Sequence, residues 1–340
     1  MKKDTRIKYN AYLEKLAQLN DVPSAAEKFT VDPSVQQTLE DKIQESSEFL
    51  KKINMVPVSE QSGEKLGLGV SGPVASTTDT NVQDRATSDL SVMDAQGYVA
   101  TKTDFDTHIG YAKLDLWAKF KDFQQRLRNA LIRRQALDRI MIGFNGESRA
   151  ATSDKATNPL LQDVNKGWLQ KYREFAAARV MDEVFAASGK VQIGDAIDVA
   201  HGYKNLDALV YDVVNNLIEP YYRKDPALVC VLGSNLLADK YFPLVNANLD
   251  PTETIAADLI ISQKRVGGLP AVTAPYVPDN TMLITTLDNL SIYWQEGARR
   301  RSVVDNAKRD RIEDYNSSNE SYVVEDYGRG CMVENIELAA

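Results

Sequence analysis

Two cysteines and two histidines are all that 340 residues contain, and that scarcity removes most protein chemistry at once. Cys230 and Cys331 lie far apart, with no CxxC pair and no histidine-rich neighbourhood, so neither a disulfide framework nor a zinc site is legible. Both read as reduced, buried thiols. His108 falls on the polar face of a predicted strand, and His201 falls in a loop beside Gly202. Neither accompanies a nucleophile motif such as G-x-S-x-G, so both read as solvated surface residues. The H-E-x-x-H, D-x-D-x-D-G and G-x-x-x-x-G-K-[ST] patterns are missing, and neither a catalytic set nor a cofactor is predicted. No apolar run reaches the ~18 residues of a membrane span, and Met1-Lys2-Lys3 is not followed by an apolar stretch. Secretion and membrane insertion are therefore not expected. No internal repeat is visible.

A positive surplus is also missing. The net charge is −8 and the isoelectric point about 5.1, which argues against a surface that grips nucleic acid all over. With 43% hydrophobic and 26% charged residues, the composition is that of a soluble globular protein with room for two domains.

What the chain does have is a long segment that cannot bury itself. Between Pro57 and Ser88, 15 of 32 residues are Gly, Pro, Ser or Thr, and Leu66, Leu68 and Val70 alternate as apolar singles. Period two describes a ribbon with one half-apolar face, and an isolated two-stranded ribbon is marginal in water. Thr103, Phe105, Thr107, Ile109 and Tyr111 alternate with polar residues and predict a strand returning from this flap. A helix then follows over 113–143, with Trp117, Phe120, Phe123, Leu127, Leu131, Leu137 and Met141 on one side and an end at Gly143 and Asn145-Gly146. At 1.5 Å per residue it spans roughly 45 Å, the length of a molecular spine. A flap on a strut predicts a building block whose contacts lie in neighbouring copies.

Elsewhere, Ile7, Tyr12, Leu13, Leu16 and Leu19 predict a short amphipathic helix, and 27–33 reads as an exposed linker. Asp32-Pro33 reads as a cap and first helical residue, opening a second helix with Val35, Leu39, Ile43, Leu50 and Ile53 in a narrow stripe. A helix over 167–184, weak signal at 189–203, and alternating helices and strands from 205 onward complete an α+β pattern. Strands are predicted at 301–304, 321–326 and 331–336.

Gly67, Gly69 and Gly72 form a literal G-x-G-x-x-G, but the following PVASTTDT lacks helical periodicity, so no helix N-terminus faces a phosphate there. The glycines read instead as softening the flap. The predicted spine carries Lys113, Lys119, Lys121, Arg126, Arg128, Arg133, Arg134 and Arg139 against Asp115, Asp122 and Asp138, and Arg299, Arg300 and Arg301 form a second cluster. Both are candidates for contact with DNA or with neighbouring subunits, or are ordinary solvated faces.

Over nearly its whole length the chain resembles the major capsid proteins of tailed phages, most closely those of the peduovirus-type contractile-tailed phages. The segments that carry the resemblance include VQQTLEDKIQESSEFLKKINMVPV (35–58), GVSGPVASTTDT (69–80), LDLWAKFKDFQQRLRNALIRRQALDRIMIGFNG (114–146), NPLLQDVNKGWLQKYR (158–173), IISQKRVGGLPAV (260–272) and YVVEDYGRGCMVE (322–334). The resemblance implies the Hong Kong ninety-seven type fold: an N-arm at 30–56, an extended loop at 57–111, a peripheral domain at 112–204 and 295–340, and an axial domain at 205–294. It implies hexamers and pentamers closing into an icosahedral shell around double-stranded DNA, assembled in the host cytoplasm, with a portal protein at one vertex. It also implies an internal scaffolding protein and protease that removes residues 1–29 near Phe29-Thr30, which would shift the net charge from −8 to −10. A DNA-binding scaffold using the basic helix 113–143 is the rival expectation.

Overall fold

The computed structural model describes residues 1–67, 75–87, 92–117, 123–194, 197, 201–246 and 263–338. Helix α1 (Lys3–Leu19) is followed by a short strand β1 (Phe29–Thr30) and helix α2 (Pro33–Glu45). Asp32 caps α2 by accepting from the Ser34 amide at 2.8 Å, and Pro33 sits in the first turn, where a missing N–H costs nothing. The second helix was expected to carry Leu50 and Ile53, but it stops at Glu45, where the Ser46 hydroxyl donates to the Ile43 carbonyl at 2.8 Å. A 3-10 turn at Leu50–Lys52 then delivers Leu50 and Ile53 to the core, and β2 (Asn54–Val58) begins.

Strands β3 (Ser62–Gly67) and β4 (Val92–Val99) pair antiparallel as a separate ribbon, with an irregularity between Gly63 and Lys65. The strand expected over 103–111 is two pieces, β5 (Thr101–Asp104) and β6 (Thr107–Gly110). Between them Phe105 is buried, and Asp106 accepts from the Asn316 amide at 3.0 Å.

The spine comprises α3 (Tyr111–Trp117) and α4 (Phe123–Asn145). Its buried face is Ile132, Ala136, Arg139, Ile140 and Phe144, spaced by three or four residues, whereas the expected Leu127, Leu131 and Leu137 are only half-buried. Gly143 does not end this helix. A Cβ there would stand 2.2 Å from the Trp168 ring, so glycine is what lets α5 (Trp168–Phe175) close on the spine. Trp168 is fully buried and packs edge-on against Phe144 and Tyr322.

Short strands β7 (Val180–Met181), β8 (Val191–Ile193) and β9 (Gly202–Tyr203) lead to α6 (Leu206–Leu217), β10 (Leu228–Leu232) and α7 (Ser234–Asn246). Then come β11 (Arg265–Val266), β12 (Leu269–Val272), β13 (Met282–Thr286) and β14 (Leu290–Gln295). The chain finishes with β15 (Arg300–Asn306), β16 (Arg311–Val324), β17 (Cys331–Val333) and β18 (Ile336–Leu338).

One sheet runs β1-β15-β16-β14-β2, with β5 and β6 also on β16, and a second runs β11-β12-β10-β13-β17-β7. The second sheet therefore takes β7 and β17 from outside 205–294, while β14 joins the first. β16 starts ten residues earlier than the expected strand at 321, because its polar first half is held between β15 on one side and β5 and β6 on the other. A core built on Ile43, Leu50, Ile140, Trp168 and Ile292 welds α2, α4 and α5 to the first sheet. Leu209, Val213, Cys230, Met282 and Cys331 anchor a separate core under α6 and α7. Burial pushes both thiols well above their ordinary pKa, leaving them protonated at neutral pH.

Candidate assembly surfaces

Charge divides between an internal lock and outward faces, and the division differs from the sequence expectation. Arg299, expected as an outward contact, is fully buried, as is Arg139 of the predicted basic face. Arg139 places its two terminal nitrogens 2.6 Å from Glu40 and 2.6 Å from Glu320. Arg299 reaches the other Glu40 oxygen at 2.6 Å and donates to Asn316 and Gln135, each at 3.1 Å. Two arginines and two glutamates thus neutralise each other where α2, α4, β16 and the start of β15 meet. Burial alone would raise the Glu40 carboxyl, but Arg139 and Arg299 outweigh it and hold Glu40 below the usual carboxylate range. Arg301 is also turned inward, held by Asp314 at 2.6 Å and by the Tyr12 hydroxyl at 2.9 Å.

Five of the other candidate contact residues face out. Arg126, Arg128, Arg133 and Arg134 are exposed along α4, with Arg134 paired to Asp138 at 2.6 Å, and Arg300 is exposed on β15. Lys119 and Lys121 lie outside the described residues.

Among the described residues, the ribbon is fastened at its base. Lys65 buries its ammonium against the Val324 carbonyl at 2.6 Å, and the Tyr98 ring packs edge-on to Tyr293 at 5.0 Å. At the far end, residues 75–87 are exposed apart from half-buried Thr78. Gly67 closes β3 opposite Val92, whereas Gly69 and Gly72 lie outside the described residues.

The segment at 27–33, expected to be an exposed linker, is tied down. Phe29 pairs with Arg301 and Thr30 with Arg300, while Val31 donates to the Arg299 carbonyl at 2.9 Å. Phe29 and Val31 are buried with Tyr9, Leu16, Ala25 and Val303. Their apolar alternation is the physical reason, since β15 offers an open edge and an apolar patch to receive it. Arg6 pairs with Asp305 and completes the clasp of α1 on the sheet.

His108 is exposed on β6, and His201 stands edge-on to Phe185 at 5.2 Å. Among the described residues, no three His, Cys, Asp or Glu side chains gather in a way that could hold a metal ion.

Known proteins with similar chains share one description. A family described as phage major capsid protein, P2 family, matches residues 8–336. The capsid proteins of Escherichia phage P2 are 54% identical over 99% of this chain and 96% of theirs. The major capsid protein of Serratia phage KSP20 is 41% identical over 100% of this chain and 98% of its own. Among solved structures, a procapsid of satellite phage P4 that includes the size determination (Sid) protein contains a chain with a TM-score of 0.83. That chain is 51% identical, with 100% of this chain and 99% of the other covered. The capsid of an empty GTA particle shares the fold at a TM-score of 0.52 and 18% identity, covering 87% of this chain and 90% of that one.

Proposed function

We infer the function from one premise: this chain belongs to the P2 family of phage major capsid proteins. It is a structural protein and not an enzyme, it has the α+β Hong Kong ninety-seven type fold, and its copies form the icosahedral shell of a phage head. Family membership displaces the rival reading of a DNA-binding scaffold. What remains is how this chain does that work, and the ribbon supports the reading best. A two-stranded sheet whose described residues are fastened at its base and exposed at its apex does not bury enough surface to justify its length in a lone subunit. Laid across a neighbour it adds area to a heterologous contact, and such contacts close into rings.

On this reading residues 30–56 are the N-arm, 57–111 the extended loop, 112–204 with 295–340 the peripheral domain, and 205–294 the axial domain. Subunits form hexamers and pentamers on an internal scaffolding protein and protease, within the bacterial cytoplasm, with a portal protein at one vertex. Gly67, Gly69 and Gly72 let the ribbon adjust to hexamer and pentamer neighbours. The exposed Arg126, Arg128, Arg133 and Arg134, with Lys119 and Lys121, meet packaged DNA without sequence preference or an adjoining subunit. Arg299 and Arg301 have no such role, because their partners are internal.

Residues 1–29 are trimmed near Phe29-Thr30 during maturation. Co-expression with the scaffolding protein, electron microscopy of the product and mass spectrometry of its subunits test these points together. Closed shells with subunits beginning near Thr30 are expected; shells of full-length subunits would remove the trimming step, and soluble monomers alone would remove the scaffold-dependent route.

A further inference from the structure

We propose that a groove formed by α3, α4, β6 and the turn after β15 receives the apex turn of the ribbon, residues 79–84, from a second copy of this chain. The proposal rests on the reading that the ribbon reaches a neighbour, and it names where the ribbon lands.

The groove encloses about 890 Å³. Its lining combines apolar Ile109, Leu127 and Ala130 with cationic Lys113, Arg126 and Arg309. Arg311 also lines it and is paired with Glu313 at 2.6 Å; none of the described lining residues is a carboxylate. A nucleic-acid backbone fits such a site badly, because phosphate oxygens need donors where Ile109, Leu127 and Ala130 offer methyl groups. The matching occupant carries an apolar side chain between two carboxylates.

The apex turn has that form. Val82 is 80% exposed, the highest value among the exposed large hydrophobic residues described, and Asp79 and Asp84 stand on either side of it. The turn is already ordered. Asp79 accepts from the Asn81 amide at 3.0 Å and from its side chain at 3.1 Å, and the Asp79 carbonyl accepts from Val82 at 3.0 Å and Gln83 at 3.1 Å. Order before contact lowers the entropy lost on docking. Because the turn is exposed in its own subunit, the groove that takes it belongs to another. Arg85 follows the turn and is its one opposing charge.

The test is charge exchange in assembled shells. Lys113→Glu with Arg309→Glu is expected to lower the yield of closed shells about tenfold, and Asp79→Lys with Asp84→Lys to do the same. All four changes together restore the yield. Independently, shells carrying Val82→Cys with Ala130→Cys give a ladder of cross-linked subunits on oxidation, whereas Val82→Cys alone gives none. Failure of both the rescue and the ladder overturns the groove assignment. Hydrogen exchange of the unaltered protein separates the two levels: if residues 79–85 become protected in shells while rescue and ladder fail, the ribbon reaches a neighbour elsewhere. If those amides exchange as fast in shells as in free subunits, the ribbon reading itself falls.

Discussion

The joint between α2 and α4 and the ribbon of β3 and β4 are opposite solutions to holding a chain segment in place. At the joint, Glu40 alone receives two arginines, and each arginine has further partners on other elements, so α2, α4 and β16 have one mutual arrangement. Along the ribbon, the fastenings described are a lysine, a tyrosine and a ladder of backbone bonds. A fixed joint transmits load without yielding, and a loosely held arm conforms to what it meets. If the ribbon reaches a neighbour as proposed, stability of the subunit and closure of the shell draw on separate residues and can be perturbed separately.

Substitutions should therefore fall in an order set by distance from the joint. Glu40→Ala leaves Arg299 without a carboxylate and Arg139 with Glu320 alone, two buried cations against one anion, and is expected to cost about 3–5 kcal/mol, read as a lower urea midpoint of the isolated subunit. The same group gives the joint a pH signature. Glu40 titrates below its ordinary 4.5 when folded, so its contribution is complete above that pH and is lost as pH falls through the lowered folded value. Glu40→Gln should flatten that acid limb of the stability profile; an unchanged limb would show that the carboxylate is not what holds the joint. Gly143→Ala pushes a methyl into the Trp168 ring and should cost about 1–3 kcal/mol, with a change in tryptophan fluorescence. Removing the α2 cap with Asp32→Ala should cost about 1 kcal/mol by the same denaturation assay.

At the end of the series, Gly67, Gly69 and Gly72 changed together to valine should move subunit stability by no more than about 0.5 kcal/mol while sharply reducing closed shells. Normal shells from that variant would erase the contrast between joint and ribbon.

Much of the architecture was legible because its signals are local. Glycine, serine and threonine density marked the flap, helical spacing marked the spine, and Asp32-Pro33 marked the start of α2. The joint was illegible because Glu40 meets partners 99 and 259 positions away, and Glu320 meets Arg139 across 181. Nothing beside Arg139 or Arg299 distinguishes a buried arginine from an exposed one, so both were placed on outward faces. The first half of β16 escaped for a related reason: Glu313, Ser317, Ser318 and Glu320 are buried polar residues, and a strand whose hidden face is polar shows no apolar alternation. Gly143 looked like a terminator because the feature that requires it, Trp168, lies on another helix. At the candidate surfaces, the exposure of the α4 arginines and the pairing of the ribbon strands were legible, while the tethering of Phe29 and Val31 was not, since an edge strand two residues long leaves no periodic trace.

The pairing of β1 with β15 also bears on timing. A protease acting at Phe29-Thr30 meets a bond inside a sheet, with Phe29 sheltered under α1 and Val31 hydrogen-bonded beyond it. Proteases accept extended, unpaired substrate, so the proposed scission would wait until α1 and its strand peel away together. The clock for such a cut would then be the fraying of this clasp, and a subunit whose clasp is loosened by its surroundings would be processed ahead of one that is not.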